Sequence, residues 1–202
     1  MRPWRVLLAA AALAGCAHVT PVAETDGLDF RERQMRLTAL DGWEMRGRLA
    51  VDTGERAFQA RFRWRQDADS MLLAVNGPFG AGSFQIDGTD EEMTVRARGE
   101  RWTLSDPETD LSALFGWWLP VGSLKDWLIG LPDTLYDART RFSRGGTLAS
   151  LEQRLWDVEY PEYRLSDGLL VPRKIDMSHG RLELRLTVDS WDSLAPTANA
   201  LN

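Results

Sequence analysis

Residues 43–66 read WEMRGRLAVDTGERAFQARFRWRQ, and their periodicity assigns the fold class. Trp43, Met45, Leu49 and Val51 recur at multiples of two, with Glu44, Arg46 and Arg48 between them. After Asp52-Thr53-Gly54 the alternation resumes, with Phe58, Ala60, Phe62 and Trp64 set against Arg61, Arg63 and Arg65. Successive side chains of a strand point to opposite faces, so this is a hairpin with one apolar and one solvated face. The same period returns in Met93, Val95 and Ala97, and in Leu182, Leu184, Leu186 and Val188 against Arg181, Glu183, Arg185 and Thr187. Asp87-Gly88, Arg98-Gly99, Gly145-Gly146, Asp167-Gly168 and His179-Gly180 punctuate the segments at hairpin spacing. Counting them predicts a mainly β fold, an antiparallel sheet of about eleven strands.

Three helices are expected beside the meander. A weak one spans roughly residues 27–40. Ser105-Asp106-Pro107-Glu108 has capping-box spacing with proline near the first turn, and Leu111, Leu114, Phe115 and Trp118 follow at i, i+3, i+4 and i+7. After Pro120 a further helix is expected to start at Ser123, to carry Leu124, Trp127, Leu128 and Leu131, and to stop at Gly130-Leu131-Pro132. Three short helices are few for so broad an apolar face. Either the sheet closes and packs solid, which periodicity alone favours, or it curls into an incomplete barrel with the helices as plug or lid over an apolar hollow.

The composition narrows the functions open to such a fold. The chain has 202 residues, 44% of them hydrophobic and 27% charged, which suits one folded domain. A mean hydropathy of -0.32 excludes a polytopic membrane protein. The formal charge of -6 argues against nucleic acid as a partner. One Cys and two His leave no set for a zinc site of His and Cys ligands, a disulfide framework or a Cys–His nucleophile pair, so no metal is expected. Asp90 and Glu91 fall in a turn, where charge is ordinary, and His179 has no partner nameable from sequence, so catalysis is not expected. Nine Trp against three Tyr supply a large apolar surface, destined for the core or for an apolar ligand.

The start of the chain, MRPWRVLLAAAALAGC, is organised for export. Arg2 and Arg5 precede an apolar run from Val6 to Ala14 that is too short to span a bilayer. Its end, Leu13-Ala14-Gly15-Cys16, resembles the lipobox of bacterial lipoproteins. The resemblance implies cleavage before Cys16, diacylglyceryl attachment at its sulfur and acylation of the new amino terminus. Loss of Arg2 and Arg5 then leaves 22 basic against 30 acidic residues, a charge of -8. In enterobacterial-type sorting an Asp after that Cys favours the inner membrane; Ala17 stands there, which implies the outer membrane. Residues 1–15 are thus read as a signal peptide, 16–25 as a lipidated tether, 26–195 as the folded domain and 196–202 as a tail.

Several segments, taken in order, resemble the LolB family of outer-membrane lipoprotein-localisation receptors. They are GWEMRGRLAV (42–51), FQARFRWRQ (58–66), MLLAVNGPFGAGSFQI (71–86), GWWLPVGSLKDWLIGLP (116–132) and LTVDSW (186–191). The resemblance implies a half-open barrel with a helical lid and an apolar cavity, which favours the hollow sheet. It implies a domain on the periplasmic side that accepts triacylated lipoproteins from a LolA-type periplasmic carrier and inserts them into the outer membrane, with no cofactor, no nucleic acid and as a monomer. The acyl-chain wall is expected from Phe62, Trp64, Leu73, Val75, Phe84, Ile86, Val95, Leu184, Leu186 and Val188. Trp118, Leu119, Leu124, Trp127 and Leu128 would form its lid. The loop from Asn76 to Gly82 carries Pro78, Phe79 and Gly80; in the family the corresponding Pro-hydrophobic-Gly loop protrudes and its apolar residue is needed for delivery into the membrane, which implies a membrane-insertion loop here, the alternative being a Phe79 folded back over the sheet edge. Two other functions fit the same residues: a structural or assembly lipoprotein of the envelope, and a binder of another lipid class.

Overall fold

The computed structural model describes residues 30–78 and 82–196. The signal peptide, Cys16, the tether, Phe79, Gly80 and the tail from residue 197 lie outside the described residues. Helix α1 (Phe30–Thr38) is followed by a run of six strands, β1 (Leu40–Asp52), β2 (Ala57–Asp67), β3 (Ser70–Asn76), β4 (Phe84–Gly88), β5 (Met93–Ala97) and β6 (Glu100–Leu104). Helices α2 (Pro107–Phe115) and α3 (Val121–Leu128) interrupt the run. Five strands complete it: β7 (Ala138–Phe142), β8 (Leu148–Gln153), β9 (Trp156–Ser166), β10 (Leu169–His179) and β11 (Leu182–Pro196).

All eleven strands form one antiparallel sheet in the order β6-β5-β4-β3-β2-β1-β11-β10-β9-β8-β7. The chain's first strand is therefore the sheet's middle strand, and β6 and β7 are its two edges, each paired on one side among the described residues. The sheet is strongly curled. Asp90, in the β4–β5 turn, and Arg154, in the β8–β9 turn, line one cleft, although six strand spacings separate β4 from β9. In a flat sheet those strands would lie roughly 30 Å apart.

The β1–β11 seam shows how the alternation is preserved across a bulge. Arg46 pairs with Ser190 while Gly47 pairs with Val188, so β11 accommodates the extra residue Asp189. This slip puts both Val188 and Trp191 on the buried face. Glycine is required at 47, where a Cβ would overlap the Thr187 carbonyl oxygen and press on the Phe62 ring.

The helices depart from their expected boundaries. α2 is capped by Asp106, whose carboxylate accepts from the Thr109 amide, while the Asp106 amide donates to Asp110. The reciprocal cap is thus one residue later than the Ser105–Glu108 spacing suggests, because Glu108 is drawn away to Arg154. α3 starts at Val121 rather than Ser123; the Ser123 hydroxyl is buried and hydrogen-bonds the Asp133 carboxylate at 2.6 Å. Gly116 ends α2 in the left-handed conformation, at φ 79°.

Candidate functional site

The buried face of the sheet is built in rows of side chains that stand opposite one another from strand to strand. Trp64, Leu73, Ile86 and Val95 form one such row across β2 to β5. Phe62, Val75 and Phe84 form the next. On the other wing, Val51, Leu184, Met177 and Val158 line up across β1, β11, β10 and β9. Leu186 and Val188 follow Leu184 on the same face. All ten expected wall residues point this way; Leu73 and Phe84 are half-buried and the other eight buried.

Three short helices cover this face: α1, which buries Leu37 and packs on β10, and α2 and α3 with their linker. α2 packs on β6 and buries Leu111 fully, and Phe115 lies against Phe84 with ring centroids 5.4 Å apart. Of the expected lid residues, Leu119, Leu124, Trp127 and Leu128 are buried and Trp118 half-buried. The Trp127 indole donates to the Gln153 side chain at 2.7 Å, and Tyr160 donates to the Trp127 carbonyl at 2.9 Å. Gln153 in turn donates to the carbonyls of Asp133 and Tyr136. Helix α3 is therefore fastened to the sheet by buried hydrogen bonds. Buried polar groups survive only when paired, and this network pairs its members. One buried indole N–H, that of Trp156, has no partner among the described residues.

Arg154 joins the far wing to the cover. It forms a bidentate pair with Glu108 at 2.7 and 2.8 Å and reaches Ser123 Oγ at 3.1 Å. Its guanidinium lies 4.2 Å from the Tyr136 ring centroid and 5.0 Å from that of Trp118. Arg33 of α1 is a buried cation with no carboxylate partner among the described residues. It donates to the carbonyls of Leu170, Ile129 and Gly130 at 2.8, 2.8 and 3.1 Å, tying α1 to β10 and to the end of α3. Burial holds its pKa below the ordinary arginine value. Neither arginine, nor Gln153 nor Asp133, was signalled by the sequence pattern.

Beside the apolar face lies a cleft of about 400 Å³, and none of the ten wall residues lines it. Asp90, Asp106, Lys125, Asp126, Asp133 and Arg154 do. Burial and the neighbouring Asp133 push the Asp126 carboxyl up to about 6. Between about pH 4 and pH 6 the folded protein therefore holds a proton that the unfolded chain has released, and stability falls as pH rises through that window. Asp126→Asn is expected to remove this slope and to melt higher than the parent at pH 7.5. Identical pH dependence of thermal unfolding in the two proteins would refute the assignment.

Comparison with known proteins follows the same lines. The family model of outer membrane lipoprotein LolB matches residues 41–191. The chain is 31% identical over 198 residues to the outer-membrane lipoprotein LolB of Chromohalobacter salexigens, covering 97% of this chain and 92% of that one. It is 32% identical over 201 residues to the LolB of Alkalilimnicola ehrlichii, covering 97% of this chain and all of the relative. Among solved structures it resembles a LolA superfamily protein from Nitrosomonas europaea, with a TM-score of 0.53 at 10% identity over 81% of this chain and 93% of that one. A DUF1329 family protein from Desulfovibrio piger gives a TM-score of 0.50 at 9% identity, over 80% and 89% of the two chains. At such identities the structural likeness is one of fold alone.

Proposed function

The chain belongs to the outer membrane lipoprotein LolB family, and on that footing we propose that it accepts triacylated lipoproteins from a soluble LolA-type periplasmic carrier and inserts them into the outer membrane. It is an outer-membrane lipoprotein with a role in lipoprotein localisation, and the family is not one of enzymes. The observation that carries the receptor reading is the mismatch between wall and cover. An apolar face runs across an eleven-stranded sheet, yet only three short helices and the α2–α3 linker are set against it.

Removing an acyl chain from a membrane costs about 0.8 kcal/mol per methylene, so a carrier needs a continuous apolar wall rather than one polar anchor. The rows through Trp64, Phe62 and Leu184 supply that wall. The cover divides by how it is held. α3 is pinned by the Trp127, Gln153 and Tyr160 hydrogen bonds, whereas α2 has no buried hydrogen bond to the sheet among the described residues and is held by Leu111, ring contacts and the half-buried Glu108–Arg154 pair. In this reading α2 and the linker lift, Phe84 and its row become the floor of the hollow, and α3 stays. The protein works as a monomer held at the membrane through Cys16.

The test is transfer of a radiolabelled lipoprotein from loaded carrier to this protein and on to liposomes. Uptake of free fatty acid with no transfer from the carrier would reduce the protein to a generic lipid binder. Leu184→Glu sets a carboxylate on the buried face, where it is either an uncompensated charge or a group of raised pKa. Its uptake of a fluorescent fatty acid, followed by tryptophan quenching, is expected to fall at least tenfold, a loss of about 1.4 kcal/mol or more. A folded Leu184→Glu protein with unchanged uptake would exclude β11 from the wall. Cys16→Ala is expected to abolish palmitate labelling and leave the precursor uncleaved, since no second Cys exists to take the diacylglyceryl group. Normal labelling of that variant would refute the anchor.

A further inference from the structure

The solvent face of the β1–β2 hairpin carries five exposed arginines, Arg46, Arg48, Arg61, Arg63 and Arg65. Between Trp43 and Val51 and between Phe58 and Gln66 the only carboxylate is Glu44. The pairing sets like charges directly opposite each other, Arg46 against Arg63 and Arg48 against Arg61. Such cross-strand pairs oppose sheet formation. Glu44 offsets one of them by binding both Arg46 and Arg63, at 2.6 and 2.7 Å. Arg48 reaches Asp189 at 3.0 Å, and Arg61 has no carboxylate within ion-pair reach among the described residues. The next strand presents no charge on this face: Leu72 and Ala74, both half-buried, stand opposite Arg65 and Arg63. A row of guanidiniums beside a shallow apolar strip, in a chain whose mature charge is -8, has no account in folding.

We infer that the outer face of β1, β2 and β3 docks on anionic phospholipid headgroups and lays the anchored domain against its own membrane. Planar guanidiniums match phosphate oxygens bidentately, and Leu72 and Ala74 meet the interface between them. The occupant follows from the anchor. Residues 17–29 span at most about 45 Å, so a headgroup layer is always within reach of this face. The rest of the surface selects the orientation. The β2–β3 and β4–β5 turns share one end of the sheet; Asp67 and Asp69 there pair with Arg65 and Lys125, at 3.6 and 3.7 Å, while the exposed Asp90, Glu91 and Glu92 have no ion pair among the described residues and are repelled by an anionic surface. Arg61 is paired with Asn76, the last residue before the 77–83 loop, so the basic face runs from the acidic end, at Arg65, to the opposite one, at Arg61. The inference rests on lipid anchorage and is independent of what Phe79 does.

The test uses the full lipidated protein in vesicles of phosphatidylcholine alone or with phosphatidylglycerol added. A fluorophore at Ala74→Cys reports quenching by a headgroup spin-labelled lipid, and one at Leu135→Cys, beside the polar cleft, is the control. Each arginine near an anionic surface contributes about fivefold in binding, or about 1 kcal/mol. Quenching at position 74 is therefore expected to be several-fold stronger with phosphatidylglycerol, to be lost in high salt, and to be lost in Arg61→Glu/Arg65→Glu; position 135 stays unquenched. Equal quenching in both lipids, or no change on charge reversal in a normally folded protein, overturns the inference. So does charge reversal that leaves the orientation intact and instead weakens transfer from the carrier, which would assign the face to an acidic protein. Failure of the parent protein to float with either vesicle would overturn the anchorage, and the docking with it.

Discussion

Arg33→Ala is expected to lower the melting temperature by roughly 10 °C. The side chain is 3% exposed and donates to three carbonyls, two of them at the end of α3 and one on β10. Hydrogen bonds from a charged donor contribute about 1.5–3 kcal/mol each, and buried carbonyls left without a donor add their own desolvation cost. A net loss of about 3–5 kcal/mol is the expected balance, at 2–4 °C per kcal/mol for a domain of this size. Arg33→Lys keeps the charge and loses the fork, and should fall between the two. Thermal unfolding followed by far-UV circular dichroism measures this; a shift below about 2 °C for Arg33→Ala would show that water replaces the guanidinium at little cost.

Phe79→Glu is expected to leave acceptance from the carrier intact and to reduce release into liposomes by one to two decades. Residue 79 lies outside the described residues, but its flanks are fixed. β3 ends at Asn76, Pro78 is exposed, and β4 resumes at Phe84. An apolar side chain at a hairpin tip gains roughly 1.5–3 kcal/mol when it partitions into an apolar phase, and a carboxylate there is repelled. Phe79→Leu should be nearly silent, because the contact requires apolarity and not a ring. Wild-type delivery by a folded Phe79→Glu protein would leave the loop without a role in insertion.

The sheet was legible in the sequence because one buried face imposes strict alternation, and the strands through Phe62, Leu184 and Val188 lie where that alternation puts them. The family-like segments added the curl and the cover. What escaped is polar and long-range. Arg33 reads in FRERQMRLT as one more solvent-facing helical arginine, yet its acceptors lie 96, 97 and 137 residues away. Gln153, at the end of a strand, carries no mark of its bonds to Trp127 and Asp133. The helix starts were displaced for the same reason. Capping-box spacing points to Ser105–Glu108, but Glu108 is taken by Arg154, 46 residues beyond it, and Asp106 caps the helix instead.

The central position of β1 governs the order in which the molecule can be built. Leu40 pairs with Pro196, so the ladder at the middle of the sheet joins the first strand to the last. During export, amino terminus first, β1 to β6 can zip as successive hairpins while the free edge of β1 stays bare. Closing that edge takes β11, and the loop to be closed is nearly the whole domain, which is the slowest kind of contact to form. The edge that would template mispairing is thus open until β11 has crossed, and β11 acts as its seal.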